Sequence, residues 1–192
     1  MRNTKVKILT ECAVMVALAF ALSCAKLFEM PLGGSVTVAS MLPVMLIGVK
    51  YGTPVGLVCA FAYSLLQCLQ ALITGNVFPY CETSLTLIVC LLFDYLVPFT
   101  LLGFSGIFRK FPILKSDDGN IVLGMSLVVF ARFICHFITG VVIWGQWAPD
   151  GMGKFLYSFL YNGAYLSVDF IICILITVYI LKNSEVKRLI NR

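Results

Sequence analysis

Long apolar runs constrain the fold of this sequence more than any other feature. Most of them approach the roughly 20 residues that an α-helix needs to cross the hydrocarbon core of a bilayer. The chain of 192 residues is 60% hydrophobic and only 12% charged, whereas a soluble domain carries about 25% charged residues. We therefore expect an all-α integral membrane protein, a single bundle of six transmembrane helices. The predicted helices are 8–27, 36–49, 55–73, 85–108, 121–144 and 155–181.

The breaks between the runs contain turn-forming residues, as at 52–54 and 116–119. The second run is short and contains Pro43, so we expect a kinked or tilted helix there. The basic residues before the first run also fit a signal peptide, but no convincing cleavage site of small residues follows, and equally long runs come later. We therefore expect one transmembrane domain over residues 1–192.

The Lys and Arg residues are distributed unequally between the two sets of loops. Eleven of the 14 lie at the N-terminus, in the second and fourth loops and at the C-terminus. The opposite side has Lys26 and Lys154, and Arg132 lies within a predicted helix. Cytoplasmic loops carry the excess of positive charge, so both termini are expected in the cytoplasm. The net charge of +5 is thus a sign of topology rather than of nucleic-acid binding.

Ionisable and amide side chains inside the predicted helices mark candidate functional positions, since such groups are costly in a membrane. From the helical rise, Asp94, His136 and Asn162 lie about 14, 12 and 10 Å below the outer surface. They come from three different helices and share one layer. Arg132 and Asp169 lie deeper, at roughly 18 and 21 Å, and are predicted to form a structural ion pair.

One face of the fifth predicted helix contains residues four apart, a spacing that places them in a single stripe. The stripe consists of Arg132, His136, Gly140 and Trp144. Gly140 lets a ligand or another backbone approach closely, and Trp144 is either a ligand contact or an interfacial aromatic. The sixth helix adds tyrosines at 157, 161 and 165. Aromatic faces beside a carboxylate suit a planar, cationic, nitrogen-rich ligand.

Motifs for catalysis or nucleotide binding are not found. The sequence contains no P-loop, no H-E-x-x-H and no G-x-S-x-G. Its eight cysteines lack the C-x-x-C spacing of metal sites and are interpreted as packing residues, so neither a metal nor a cofactor is expected. Ala13, Ala17 and Ala21 form a stripe of small residues, which suits either internal packing or the docking of a partner helix.

These features resemble the thiamine-specific S components (ThiT/YuaJ type) of energy-coupling factor transporters, over essentially the whole chain. The segments that carry the resemblance are P-L-G-G-S at 31–35, A-S-M-L-P at 39–43, D-Y at 94–95, R-x-x-x-H-x-x-x-G at 132–140, A-P-x-G at 148–151, Y-S at 157–158 and Y-N at 161–162. Some family members have Glu where this chain has Asp94. Some also have a first-loop Trp where this chain has Gly33 and Gly34, and Phe28 is a candidate replacement.

The resemblance implies a non-enzymatic vitamin-uptake subunit in the plasma membrane of a bacterium, which binds thiamine from outside. A transmembrane coupling subunit and two ATPases would drive transport, and the Ala13, Ala17 and Ala21 stripe is a candidate docking face for them. The family's thiamine-binding positions carry over to Asp94, Tyr95, His136, Gly140, Trp144, Tyr157 and Asn162.

Three alternatives stay open at the level of sequence. An S component for another vitamin would share the fold. A small intramembrane enzyme would use Asp94 and His136 as an acid–base pair. A stand-alone facilitator would differ from an S component only in needing no partner ATPases.

Overall fold

The computed structural model describes residues 2–190, with side chains from Thr4 onwards. Arg192 and the side chain of Arg2, both counted in the charge distribution above, lie outside the described residues. The helices are α1 (Arg2–Cys24), α2 (Leu42–Tyr51), α3 (Thr53–Thr74), α4 (Ser84–Lys110), α5 (Asp117–Val142), α6 (Lys154–Lys182) and α7 (Ser184–Ile190). Two short strands, β1 (Lys26–Glu29) and β2 (Ser35–Thr37), pair antiparallel between α1 and α2.

Five of the described helices, all except α2 and α7, are long and apolar enough to cross a membrane. Their outward faces carry large apolar side chains that are strongly exposed in the isolated chain, such as Val58, Ile73 and Leu175. In a bilayer these side chains contact lipid, so their exposure costs nothing there. The predicted helical membrane architecture is confirmed at this level.

The second predicted helix is wrong in its extent. Residues 36 and 37 belong to β2, and helix α2 begins only at Leu42. Pro43 lies in the first turn of α2, where its missing N–H costs no hydrogen bond, so it starts the helix instead of kinking it. The ten residues of α2 measure about 15 Å, and most of them are buried among the longer helices.

Two other helix ends in the structure differ from the predicted ones. The first helix ends at Cys24 because the chain continues into β1. The fifth helix begins at Asp117, within a segment that the sequence assigned to a turn. Ser116 caps it by accepting a hydrogen bond from the Gly119 N–H at 3.3 Å, and acidic residues in the first turn favour the positive end of the helix dipole.

Helix α4 changes its winding where it passes the centre of the molecule. Residues Leu91–Leu96 form a π-helical turn that contains Asp94. Pro98 explains this local change, because proline has no N–H to donate to the Asp94 carbonyl and its ring would clash with that carbonyl in a regular α-helix. The Val97 N–H donates to the Leu92 carbonyl instead. Such wide turns are frequent at functional sites.

Close backbone contacts hold the rest of α4 against its neighbours. The 3-10 segment Leu101–Gly106 crosses α2, α3 and α5. A Cβ atom on Gly103 would lie 2.5 Å from the Leu57 nitrogen, so only glycine fits there. The buried core extends through the same region, with Met45, Tyr63 and Met125 almost inaccessible to solvent.

Candidate ligand-binding cavity

A cavity of about 120 Å³ lies between α1, α3, α4, α5, α6 and the loop that joins the two strands. Since roughly 10–15 Å³ of such volume holds one water molecule, the cavity has room for a small organic molecule. The structure places every predicted substrate-binding residue on its lining. These residues are Asp94, Tyr95, His136, Gly140, Trp144, Tyr157 and Asn162.

Asp94 is the centre of a hydrogen-bond cluster in this cavity. The π-helical turn holds its side chain inward, with only 9% of the residue exposed. Its Oδ1 atom lies 3.1 Å from His136 Nδ1 and also accepts a hydrogen bond from the Thr139 hydroxyl. Its Oδ2 atom accepts a hydrogen bond from Trp144 Nε1 at 2.9 Å. Three donors from α5 and the turn after it therefore fix the carboxylate.

The contacts of His136 determine which of its ring nitrogens carries the proton. Arg132 Nε donates to His136 Nε2 at 3.1 Å, and a guanidinium group can only donate. Nε2 is therefore the acceptor, and the proton lies on Nδ1, from which it is donated to Asp94. The imidazole thus links the Arg132 cation to the Asp94 carboxylate without a direct contact between them.

The predicted ion pair between Arg132 and Asp169 does not form. Arg132 lies over the ring of Phe99, 4.1 Å from its centroid, and donates to His136. Asp169 accepts hydrogen bonds from the Thr37 N–H at 2.8 Å and from the Thr37 hydroxyl at 3.2 Å. Similar depth was not enough to pair the charges, because the backbone of β2 reaches Asp169 and satisfies its carboxylate.

Helices α5 and α6 pack closely against each other at Gly140, beside the cavity. A Cβ atom there would lie 2.8 Å from Asn162 Nδ2 and would also clash with the Ser158 hydroxyl. Asn162 uses this proximity to donate to the His136 carbonyl at 3.1 Å, and Tyr165 donates to Asn162 Oδ1 at 3.2 Å. The absence of a side chain at position 140 thus allows two of the polar residues to meet.

Aromatic rings form much of the remaining wall. Tyr95 is stacked near Phe99, with a centroid distance of 6.4 Å, and Tyr157 lies 5.7 Å from Tyr161. The hydroxyl of Tyr161 donates to the Pro31 carbonyl and accepts from the Gly34 N–H at 3.0 Å. Tyr161 therefore fastens the strand-connecting loop over this side of the cavity.

Position 28 does not supply the missing first-loop ring. Phe28 is 62% exposed and does not line the cavity. Gly33 and Gly34 do line it, and Gly33 has a φ of +95° with Val77 packed directly against it. The loop backbone, rather than an aromatic side chain, closes the cavity at this point.

Sequence analysis missed the wall that α1 and α3 contribute. Its polar lining residues are Ser23 of α1 and Gln67, Gln70 and Thr74 of α3, and the cavity is also lined by Lys26 of β1 and Asn76 of the loop after α3. The available signal was the pair of amides at 67 and 70, three residues apart on an apolar helix and hence on one face. Uncharged amides in membrane helices are less conspicuous than charges, and α3 contains no charged residue.

The alanine stripe of α1 faces outward. Ala13, Ala17 and Ala21 are exposed, whereas Cys12 and Ala19 are buried on the inward face. The stripe therefore does not serve packing between the described helices of this chain, which was one of its two interpretations.

These observations define a class. The chain is a multi-helix membrane protein with a polar, aromatic-lined cavity among its helices, which can hold a small molecule. The chain belongs to the thiamine transporter family: the family model described as thiamine transporter protein (Thia_YuaJ) matches residues 9–189. Members of this family carry out transport, not catalysis, so the chain is a multi-pass cell-membrane transport protein and the intramembrane-enzyme alternative is set aside.

Individual relatives agree with this assignment. The thiamine transporter ThiT of Bacillus subtilis is 34% identical over 177 residues, which cover 88% of this chain and 86% of the relative. ThiT of Lacticaseibacillus paracasei is 36% identical over 77 residues, covering 36% of this chain and 38% of the relative. The solved structure of ThiT from Listeria monocytogenes matches with a TM-score of 0.74 and 27% identity, over 99% of this chain and 100% of that one. The resemblance inferred from the sequence is confirmed.

Proposed function

We propose that this protein is the thiamine-binding S component of an energy-coupling factor transporter. Asp94, Tyr95, His136, Gly140, Trp144, Tyr157 and Asn162 form the binding site. The observation that carries the proposal is the buried Asp94 carboxylate in a cavity with aromatic walls. Thiamine has two planar aromatic rings, one of them cationic and the other aminated, and these walls offer it a counter-charge and ring-stacking surfaces.

The neutral His136 described above gives the site its charge balance. Arg132 is directed at Nε2 of the imidazole and at the Phe99 ring, so its charge is separated from the Asp94 carboxylate by the imidazole ring. A cationic ligand beside Asp94 therefore meets a carboxylate that no lysine or arginine of the described chain contacts directly. This arrangement favours a cation over a neutral or anionic vitamin.

The chain would act as one transmembrane unit over residues 1–192, with both termini in the cytoplasm. In this topology the five long helices and the short α2 form six crossing segments. Helix α2 returns the chain from the outer side, where the β1–β2 hairpin lies, to the cytoplasmic side. The excess of Lys and Arg in the terminal segments and where α4 is joined to α5, at Arg109, Lys110 and Lys115, supports this orientation.

Energy for accumulation would come from a partner, since the chain contains no P-loop. The partner would be a coupling module with a transmembrane coupling subunit and two ATPases. The outward stripe of Ala13, Ala17 and Ala21 supports a docking role, because small side chains let a second helix approach closely in lipid. This face lies on the opposite side of α1 from its buried residues.

Titration calorimetry of the purified protein tests the choice of ligand. We expect saturable binding of thiamine and no competition by biotin, a vitamin without a cationic ring. If the protein binds biotin and does not bind thiamine, the result would contradict the proposal and favour an S component for another vitamin.

A further inference from the structure

The α1–α3 wall of the cavity contains a polar cluster that the proposed site residues do not include. Ser23 of α1 contacts two amides of α3, Gln67 and Gln70, and all three residues line the cavity. Ser23 is 4% exposed and Gln67 is 9% exposed. Buried polar groups are expensive unless they are bonded or serve a ligand, so each donor and acceptor in this cluster has to be accounted for.

The orientation of Gln70 follows from its surroundings. Its Nε2 atom faces the backbone carbonyl of Ser23 at 3.4 Å, and a carbonyl oxygen can only accept. Gln70 therefore directs its Oε1 atom to the Ser23 hydroxyl, 3.2 Å away. The same hydroxyl lies 2.7 Å from the Phe20 carbonyl. The single Ser23 proton is thus donated to one of two acceptors, Phe20 O or Gln70 Oε1.

This assignment determines the orientation of Gln67. Because the Ser23 hydroxyl has no second proton, it can only accept from Gln67, whose Nε2 atom donates to it at 2.9 Å. The Gln67 Oε1 atom is then directed away from Ser23. Within residues 2–190 it accepts no hydrogen bond, although Gln67 lines the cavity. The cluster therefore presents one pre-oriented, neutral acceptor to whatever occupies the cavity.

The neighbouring polar groups Gln70, Lys26 and Asn76 already have hydrogen-bond partners within the chain. The Gln70 oxygen faces the Ser23 hydroxyl, and Lys26 is paired with Glu29 at 2.6 Å. Asn76 also donates to Glu29, at 2.7 Å. A ligand group that meets Gln67 Oε1 has to be a hydrogen-bond donor and needs no charge.

We propose that Gln67 is a specificity-determining residue that accepts a hydrogen bond from the hydroxyl of the ligand's hydroxyethyl arm. This inference rests on the proposed function, in which thiamine is the ligand. Thiamine has two neutral donor groups, an aromatic amine and that hydroxyl. Asp94 serves the aminated, cationic part of the molecule from the α4–α5 wall, which leaves the hydroxyl for the α1–α3 wall.

Calorimetry with two ligands tests the proposal on the intact protein. The ligands are thiamine and its deoxy analogue, in which hydrogen replaces the hydroxyl group. We expect wild-type protein to bind thiamine roughly threefold to tenfold more tightly than the analogue, the usual value of one neutral hydrogen bond. Gln67→Leu should lose that factor for thiamine, keep the wild-type affinity for the analogue and no longer distinguish the two ligands.

The matched control is Gln146→Leu, the same substitution at an exposed position outside the cavity, which should preserve the preference. Equal affinity of wild-type protein for the two ligands would overturn the proposal without any variant. So would a Gln67→Leu protein that still prefers thiamine, or one that loses affinity equally for both, since the latter shows a structural role. Failure of wild-type protein to bind thiamine at all would instead contradict the proposed function on which this inference rests.

Discussion

Asp94 is the residue on which the proposed recognition of a cation depends. Its two carboxylate oxygens accept hydrogen bonds from His136, Thr139 and Trp144, and this arrangement orients the carboxylate before a ligand arrives. Sequence reasoning found this residue from its charge and depth alone, because a carboxylate in a membrane helix is rare. Its hydrogen-bond partners needed the structure, since depth along a helix does not give the direction of a side chain.

Asp94→Asn preserves the size of the side chain and removes the charge. The asparagine NH₂ group would also face donors on one side, so part of the cluster would be lost. We expect thiamine affinity to fall on the order of tenfold to a hundredfold, from the loss of roughly 1.5–3 kcal/mol in a charged hydrogen bond. Calorimetry measures the thiamine affinity of the variant, and Asp150→Asn in an exposed loop is the control. Unchanged affinity of Asp94→Asn would remove this residue from the site.

Gly140→Ala should destabilise the protein by forcing α5 and α6 apart. The new methyl group would meet Asn162 and Ser158, and overpacking of this kind costs about 1–3 kcal/mol. Thermal unfolding in detergent should show a lower midpoint. Gly163→Ala is the matched control, since its methyl group would meet only Phe133 at 4.0 Å. Equal midpoints for the two variants would show that the α5–α6 contact tolerates a side chain.

At the level of elements, the sequence predicted the long helices well and the region before α2 poorly. Runs of about 20 apolar residues have one stable form in lipid, the helix. Residues 26–37 were divided between a helix end, a loop and a helix start, whereas they form a hairpin. Its strands are only four and three residues long, too short for an alternating pattern to be recognised. Its position depends on distant contacts with Tyr161 and Asp169.

The outward face of α1 gives a prediction about coupling. Ala17→Trp adds a large side chain to the exposed stripe and should not disturb the cavity. Thiamine affinity should stay near that of the wild type, while ATP-dependent uptake in vesicles with the coupling module should be abolished. Leu175→Trp on the exposed face of α6 is the control and should transport normally. Normal uptake by Ala17→Trp would exclude this face as the docking site.

For the whole molecule, the distribution of Lys and Arg predicts an orientation that accessible cysteines test. In a cysteine-free background, Glu82→Cys and Pro112→Cys place single thiols in exposed loops at opposite ends of α4. A membrane-impermeant maleimide added to intact cells should label position 82 only. Position 112 should react after the membrane is permeabilised. Labelling of position 112 in intact cells would reverse the proposed topology.

The central claim is that thiamine binds in the cavity beside Asp94, and tryptophan fluorescence tests it most directly. The chain has two tryptophans, of which Trp144 lines the cavity and donates to Asp94 while Trp147 is 48% exposed. In Trp147→Phe protein all tryptophan emission comes from Trp144. Added thiamine should change that emission saturably, and the same concentrations should leave the emission largely unchanged when Asp94→Asn is also present. Emission from folded Trp147→Phe protein that does not change at any thiamine concentration would contradict the account.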